Sequence, residues 1–304
     1  MSTTCGWDGG GTKTEVLCLN ESGVIVAQSA FGPLNLNGSS PEQIRDTVRR
    51  AVAFMAYTPG GIPEALVIGT AGISNHAATQ LLRDAVREAG YSGPLALRGD
   101  QETALSGAVE GPGAVLIAGT GAICCGRDAQ GHTVRVGGYG HLIDDGGSGY
   151  AIGRDILAAV VRAEDGRDAP HCLTKAVYQQ LNISSVSELI TWLYRPGTSK
   201  KDVAALSPLL QHALGQQDAA ALRIANRAAV ELAELGMTAW RRLSLSGGEM
   251  ALTGSILKHY PAIRRGVEMR LREACPDMRC IDPRGTAAYG AALLARNKEV
   301  FLHG

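Results

Sequence analysis

The chain has 304 residues, longer than one hydrophobic core usually serves, so two domains are expected. Apolar residues make up 45% and charged residues 19%, an ordinary globular balance, and Lys plus Arg equals Asp plus Glu at 29 each. That neutrality excludes the electrostatic footprint of a nucleic-acid or anionic-membrane binder, and no apolar run reaches membrane-spanning length. Seven cysteines form no C-x-x-C pair, and the opening MSTTCGWDGGG has neither a basic nor an apolar leader segment, so a reducing, cytoplasmic setting is expected.

In chain order, residues 3–31 read as three short strands, Thr4 to Asp8, EVLCLN and VIVAQSAF, joined by GGGTKT and ESG turns. A helix over 41–57 follows, with Ser40 as N-cap and Pro41 in the first turn. Strand 65–71, helix 76–89, strand 94–100 and helix 101–109 complete a hairpin meander grafted onto crossover units, hence a mixed sheet flanked by helices. Gly111-Pro112-Gly113 interrupts the pattern, which then restarts: AVLIAGTG (114–121), AICCGRD and HTVRVGG form a second meander. Residues 147–245 read as almost wholly helical with one loop near Pro196-Gly197, followed by a strand and loop over 250–256, helix 258–273, strand 278–282 and helix 285–298. The expected domains are 1–112, completed by the terminal segment 285–304, and 113–284 with a helical insertion.

The 39 glycines cluster at turns, where bare backbone approaches a ligand closely. In Asp8-Gly9-Gly10-Gly11-Thr12-Lys13-Thr14 the glycine amides, the Thr12 and Thr14 hydroxyls and the Lys13 charge suit an anion, while Asp8 at the strand end suits a hydrated Mg²⁺. The loop joins strand to strand and is not a Walker A sequence; its plainer reading is a glycine-rich hairpin. Gly119-Thr120-Gly121 stands at the matching place in the second meander, and Leu252-Thr253-Gly254-Ser255 lies between a strand and a helix whose N-terminus would suit a phosphate or adenosine. No G-x-G-x-x-G dinucleotide fingerprint is present. Asp100 ends an apolar strand before a helix, where it serves either as general base or as N-cap. Asp144 and Asp145 sit among glycines; the Asp145 carboxylate suits a ligand's hydroxyl donors, and the alternative is a solvated turn. His141, Cys124 and Cys125 read as structural, Trp240 and Leu235 as core, and Arg135, Lys200 and Lys201 as solvated charges.

The ordered set DGGGTKT, RGDQETAL, GTGAICC, GGYGHLIDDGGSGYAIG and LTGSI resembles the N-acetylglucosamine kinase family, grouped with the benzoyl-CoA-reductase-activator ATPases in the sugar kinase/actin superfamily. The resemblance implies an α/β, actin-like ATPase fold: two RNase H-like domains with a ligand cleft between them, often in a homodimer. It implies an ATP- and Mg²⁺-dependent kinase that phosphorylates a hydroxyl, C6-OH being the family's acceptor, of N-acetylglucosamine or a related hexosamine. Glucosamine and N-acetylmuramic acid are the alternative substrates. By position, Gly10, Gly11, Thr12, Lys13, Thr14, Gly119, Thr120 and Gly121 match the phosphate loops, and Gly254 and Ser255 a nucleotide contact. Asp8 matches the magnesium site, Asp100 the catalytic base, and Asn35 and Asp145 the sugar contacts. The chain departs from the family where GTGS becomes Gly121-Ala122-Ile123 and where GDEGS becomes Asp144-Asp145-Gly146-Gly147-Ser148. An activator ATPase of a radical dehydratase would share the nucleotide loops but needs cysteines bridging an iron–sulfur cluster, and no cysteine pair here has that spacing.

Overall fold

The computed structural model describes residues 2–35 and 38–301. In chain order the elements are β1 (Thr3–Gly9), β2 (Thr14–Asn20), β3 (Ile25–Phe31), α1 (Pro41–Ala56), β4 (Ala65–Thr70), α2 (His76–Glu88), β5 (Leu95–Gly99) and α3 (Asp100–Ala108). Then come β6 (Gly113–Ala118), β7 (Ala122–Arg127), β8 (Thr133–Gly137), α4 (Gly149–Glu164), α5 (Cys172–Leu181), α6 (Val186–Tyr194), α7 (Lys200–Ala204), α8 (Pro208–Gly215) and α9 (Ala219–Arg242). The chain closes with β9 (Gly248–Thr253), α10 (Ser255–His259), α11 (Pro261–Ala274), β10 (Met278–Ile281) and α12 (Ala287–Leu294). Two compact units result, Met1–Glu110 with Pro283–Gly304, and Gly111–Asp282.

The first unit is a five-stranded mixed sheet of order β3-β2-β1-β4-β5. β1, β2 and β3 pair antiparallel, while β4 lies parallel to β1 and β5 parallel to β4. Strand alternation sorts the two faces. Cys5, Trp7, Val16 and Cys18 are buried in a cluster with α1 and α2 residues such as Val48 and Leu82. On the other face, a side chain at Gly6 would collide with the α12 backbone at Ala288 and Ala292. Gly107 of α3 and Gly290 of α12 likewise leave no room for a Cβ, because the two helix backbones touch there. Small residues therefore bring α12 against the middle of β1 and close to α3.

The second unit repeats the topology with order β10-β9-β6-β7-β8, although the two halves share no sequence repeat. Its core joins Leu116, Ile152, Leu232, Trp240, Leu252 and Val267, with Leu235 packed at its margin. Cys124 and Cys125 are both buried, as their strand setting requires, and burial pushes the Cys124 thiol well up. The expected fold class thus holds: two mixed sheets flanked by helices.

The helical elements differ from expectation at their breaks. Residues 147–245 form six helices, interrupted where Asn182 and Gln217 adopt left-handed conformations as well as at Pro196-Gly197. The helix expected over 258–273 begins at Ser255 and breaks at Tyr260-Pro261, since proline lacks the N–H and pushes Tyr260 out of helical geometry (φ −117°, ψ 83°). The terminal helix, Ala287–Leu294, is shorter than 285–298 at both ends; at its start Thr286 caps it, accepting a hydrogen bond from the Tyr289 amide. Arg135, expected as a solvated charge, instead donates to the carbonyls of Gly137 and Gly138 and lies over the Tyr139 ring.

Candidate active site

Each unit carries one part of the expected constellation. In the first, β1 and β2 pair through Gly9–Thr14, leaving Gly10–Lys13 as the turn, closed by the Gly10 amide donating to the Lys13 carbonyl at 3.0 Å. Gly11, Thr12 and Lys13 are exposed, and the Thr12 hydroxyl has no partner among the described residues. Thr14, expected to offer its hydroxyl to an anion, does not: it is fully buried and donates to the Gly32 carbonyl at 2.8 Å. Its side chain serves the loop, because a strand-end hydroxyl shut away from solvent must satisfy itself internally.

Asp8 precedes this turn and lies directly opposite Glu15 in the β1–β2 register, so both side chains project from one face. Burial, followed by the charges of Glu15 and Asp100, pushes the Asp8 carboxyl up to about 6, with Lys13 opposing. Asp8 accepts no hydrogen bond among the described residues, whereas Glu15 is held by Gln28 Nε2 at 2.8 Å and Thr286 Oγ1 at 3.2 Å. Asp100 is the first residue of α3, its Oδ1 accepting from the Gln101 amide at 3.0 Å. The cap position belongs to Gly99, so the N-cap reading of Asp100 is set aside. Asn35 is brought to the same turn: its amide nitrogen would lie 3.5 Å from a Cβ on Gly11.

The described residues contain no cluster of three or more His, Cys, Asp or Glu suited to hold a metal unaided. Magnesium at a phosphate site needs less, since one or two carboxylates suffice when phosphates and water complete the shell. An under-bonded carboxyl at Asp8, with Asp100 close enough to perturb it, fits that requirement.

In the second unit the β6–β7 turn holds Gly119, Thr120 and Gly121, with the Gly119 amide donating to the Gly121 carbonyl at 2.9 Å. The first amides of α4 anchor it: Gly149 donates to the Gly119 carbonyl at 2.7 Å and Tyr150 to the Thr120 carbonyl at 3.3 Å. Thr120 remains exposed, its hydroxyl unpartnered among the described residues. Asp145 is only 4% exposed, which removes the solvated-turn reading. Its Oδ1 accepts from the Ala122 amide at 3.1 Å, and a Cβ on Gly121 would stand 2.9 Å from the same oxygen. Asp145 thus braces the Gly119–Gly121 turn from inside. His141 packs edge-on against Tyr150 at 4.7 Å, in keeping with a structural role.

Gly254 joins this cluster through β9, which runs parallel to β6. It has φ +92°, and any side chain there would strike the Ala118 backbone. Ser255 beside it is exposed. α10 spans only five residues, so the expected helix N-terminus amounts to a single short turn. The structure therefore gathers Asp8, Gly10–Thr14, Asn35 and Asp100 in one unit, and Gly119–Gly121, Asp145, Gly254 and Ser255 in the other.

Sequence reasoning missed Thr70 and Thr47, whose hydroxyls reach the backbone beside Asn35; no motif marks them, though a threonine ending the buried run ALVIGT was a signal. It also missed Glu15, legible only as the cross-strand partner of Asp8.

The BadF/BadG/BcrA/BcrD ATPase family matches this chain over residues 5–295. The chain is 30% identical over 304 residues to an N-acetylmuramic acid/N-acetylglucosamine kinase of Clostridium acetobutylicum, covering 98% of this chain and 99% of that one. It is 28% identical to an N-acetyl-D-glucosamine kinase of Dictyostelium discoideum, covering 97% and 98%. Among solved structures, a Chromobacterium violaceum protein assigned as an N-acetylglucosamine kinase shares the fold, with TM-score 0.75, 24% identity and coverage of 97% and 99%.

Proposed function

Because the chain belongs to the BadF/BadG/BcrA/BcrD ATPase family, we propose that it is an ATP-dependent amino-sugar kinase, transferring the γ-phosphoryl group to a hydroxyl of N-acetylglucosamine or a closely related hexosamine. The observation that supports the reading is the placing of Asp8 at the Gly10–Lys13 turn, within electrostatic reach of Asp100, with the Asn35 side chain beside Gly11. Phosphoryl transfer to an alcohol requires a carboxylate to accept the hydroxyl proton, neutralisation of phosphate charge and fixed positioning. Asp100, held at the start of α3, accepts the proton; general-base assistance of this kind is worth about 10²–10⁴-fold. The backbone of Gly10, Gly11, Thr12, Lys13 and Thr14, the Lys13 charge, and the Gly119–Gly121 turn hold the phosphates, while Gly254 and Ser255 contact the nucleoside. Asp8 would hold Mg²⁺ together with the phosphates and water, and the ion when bound offsets phosphate charge. Asn35 takes sugar hydroxyls. Asp145 acts on the sugar only through what its brace on the turn leaves available.

Two further features belong to the same reading: a homodimer, and a cytoplasmic setting. Among the described residues no helix is long and apolar enough to cross a membrane. The test is direct. Purified protein with ATP and magnesium is offered glucose, glucosamine, N-acetylglucosamine and N-acetylmuramic acid, ADP is measured, and the product is identified by phosphorus NMR. Turnover of an N-acetylated hexosamine with phosphate on C6 is expected; no ADP with any member of the panel would sink the assignment.

A further inference from the structure

Residues 32–35 run past the end of β1, and three successive carbonyls there are each met by a threonine hydroxyl from a different element. Thr14 of β2 donates to the Gly32 carbonyl at 2.8 Å, Thr47 of α1 to the Pro33 carbonyl at 3.2 Å, and Thr70 of β4 to the Leu34 carbonyl at 2.8 Å. All three threonines are buried, at 0%, 3% and 0% exposure, so these are not casual surface contacts. Thr70 also lies 3.2 Å from the Gly9 carbonyl, but a hydroxyl has one proton, and the shorter Leu34 bond takes it.

The segment is tied to the glycine turn as well. The Leu34 amide donates to the Gly10 carbonyl at 3.0 Å, and Gly9 approaches so closely that a Cβ would stand 2.8 Å from the Leu34 carbonyl. Gly32 leaves room for Thr47, whose Oγ1 would otherwise meet a Cβ at 2.7 Å. Beyond the clamp, the Asn35 carbonyl takes the Gly38 and Ser39 amides and its own amide donates to Ser39 Oγ. Asn35 is the first residue past the three clamped carbonyls, with its side-chain amide beside Gly11. Three hydroxyls from three elements thus determine where this side chain stands relative to the turn.

We propose that Thr47 and Thr70, with Thr14, are positioning residues for substrate. Their hydroxyls hold residues 32–34 so that Asn35 meets the sugar in register with the Gly10–Lys13 turn, and their side chains touch neither sugar nor nucleotide. This rests on the amino-sugar kinase reading. Replacing a threonine with the near-isosteric valine leaves a carbonyl without its donor, buried at Leu34 for Thr70 and half-buried at Pro33 for Thr47, and frees the segment to shift while the apolar packing is kept.

The experiment measures N-acetylglucosamine KM, kcat, ATP affinity and Tm for Thr70→Val, Thr47→Val, Thr70→Ser and Asn35→Ala. Each valine variant is expected to raise the sugar KM roughly tenfold, with ATP affinity within about twofold of the parent, and Thr70→Ser is expected to restore the parental KM. Hydrogen exchange at the amides of residues 34 and 35 should quicken in Thr70→Val while β1 stays protected. Should Thr70→Val fail to fold, Thr47→Val, which acts from α1, carries the same expectation. A fall in Tm with unchanged sugar KM, or equal losses for sugar and ATP, overturns the proposal. Absence of any sugar turnover by the parent condemns the kinase reading before a variant is measured. An unchanged sugar KM in Asn35→Ala removes what the clamp is said to position, and the proposal falls with it.

Discussion

Replacing Asp8 by asparagine should make the ligand-free protein more stable at neutral pH. The folded chain holds this carboxyl at about 6 against an ordinary 3.8, through burial first and the charges of Glu15 and Asp100 next. A carboxyl whose pKa rises on folding binds more protons in the native state than in the unfolded one, so stability declines as pH climbs from about 4 to about 6 and stays reduced above. A displacement of roughly two units corresponds to about 3 kcal/mol at full expression, and compaction of the unfolded chain trims it to about 2. Urea denaturation in chelator at pH 4, 6 and 8 measures this. Asp8→Asn should match the parent at pH 4 and exceed it by about 2 kcal/mol at pH 8. Magnesium with ATP should stabilise the parent more than the variant. A variant less stable than the parent at pH 8, or a pH profile parallel to the parent's, would refute the reasoning, because it would mean the ionised Asp8 is already compensated within the fold.

Asp100→Asn should lower turnover by about 10²–10⁴-fold while ATP affinity, read by calorimetry, stays near the parental value. Gly254→Ala forces a side chain at φ +92° into the Ala118 backbone, and a loss of more than about 2 kcal/mol in denaturation, with weakened ATP binding, is expected. Asp145→Ala strips the Ala122 amide of its buried acceptor and should cost about 1–3 kcal/mol while raising the KM for ATP through the loosened Gly119–Gly121 turn. Gly290→Val drives a branched side chain into the α3 backbone at Thr103 and Gly107, and is expected to abolish soluble expression of the chain.

Local chemistry settles much of this protein. Alternating apolar runs around GGGTKT and GTG turns specify two meanders, because turn residues and strand periodicity act over a few positions. Pro261 and Thr286 mark helix boundaries for equally local reasons, whereas the orders β3-β2-β1-β4-β5 and β10-β9-β6-β7-β8 depart from chain order through parallel crossovers. Tertiary structure decided what no short stretch contains. Whether Thr14 faces a ligand or the Gly32 carbonyl depends on a strand partner and a loop met only after folding. The raised pKa of Asp8 comes from burial first, then from Glu15 across a ladder and Asp100 some ninety positions away, the last brought near by parallel pairing of β1, β4 and β5. Asp145, legible as an acidic residue among glycines, becomes a buried brace because β7 places the Ala122 amide against it. Charge, burial and hydrogen-bond partnership are properties of proximity in space; sequence determines them only through the fold, so residue type indicates what a side chain is able to do and packing decides which of those things it does.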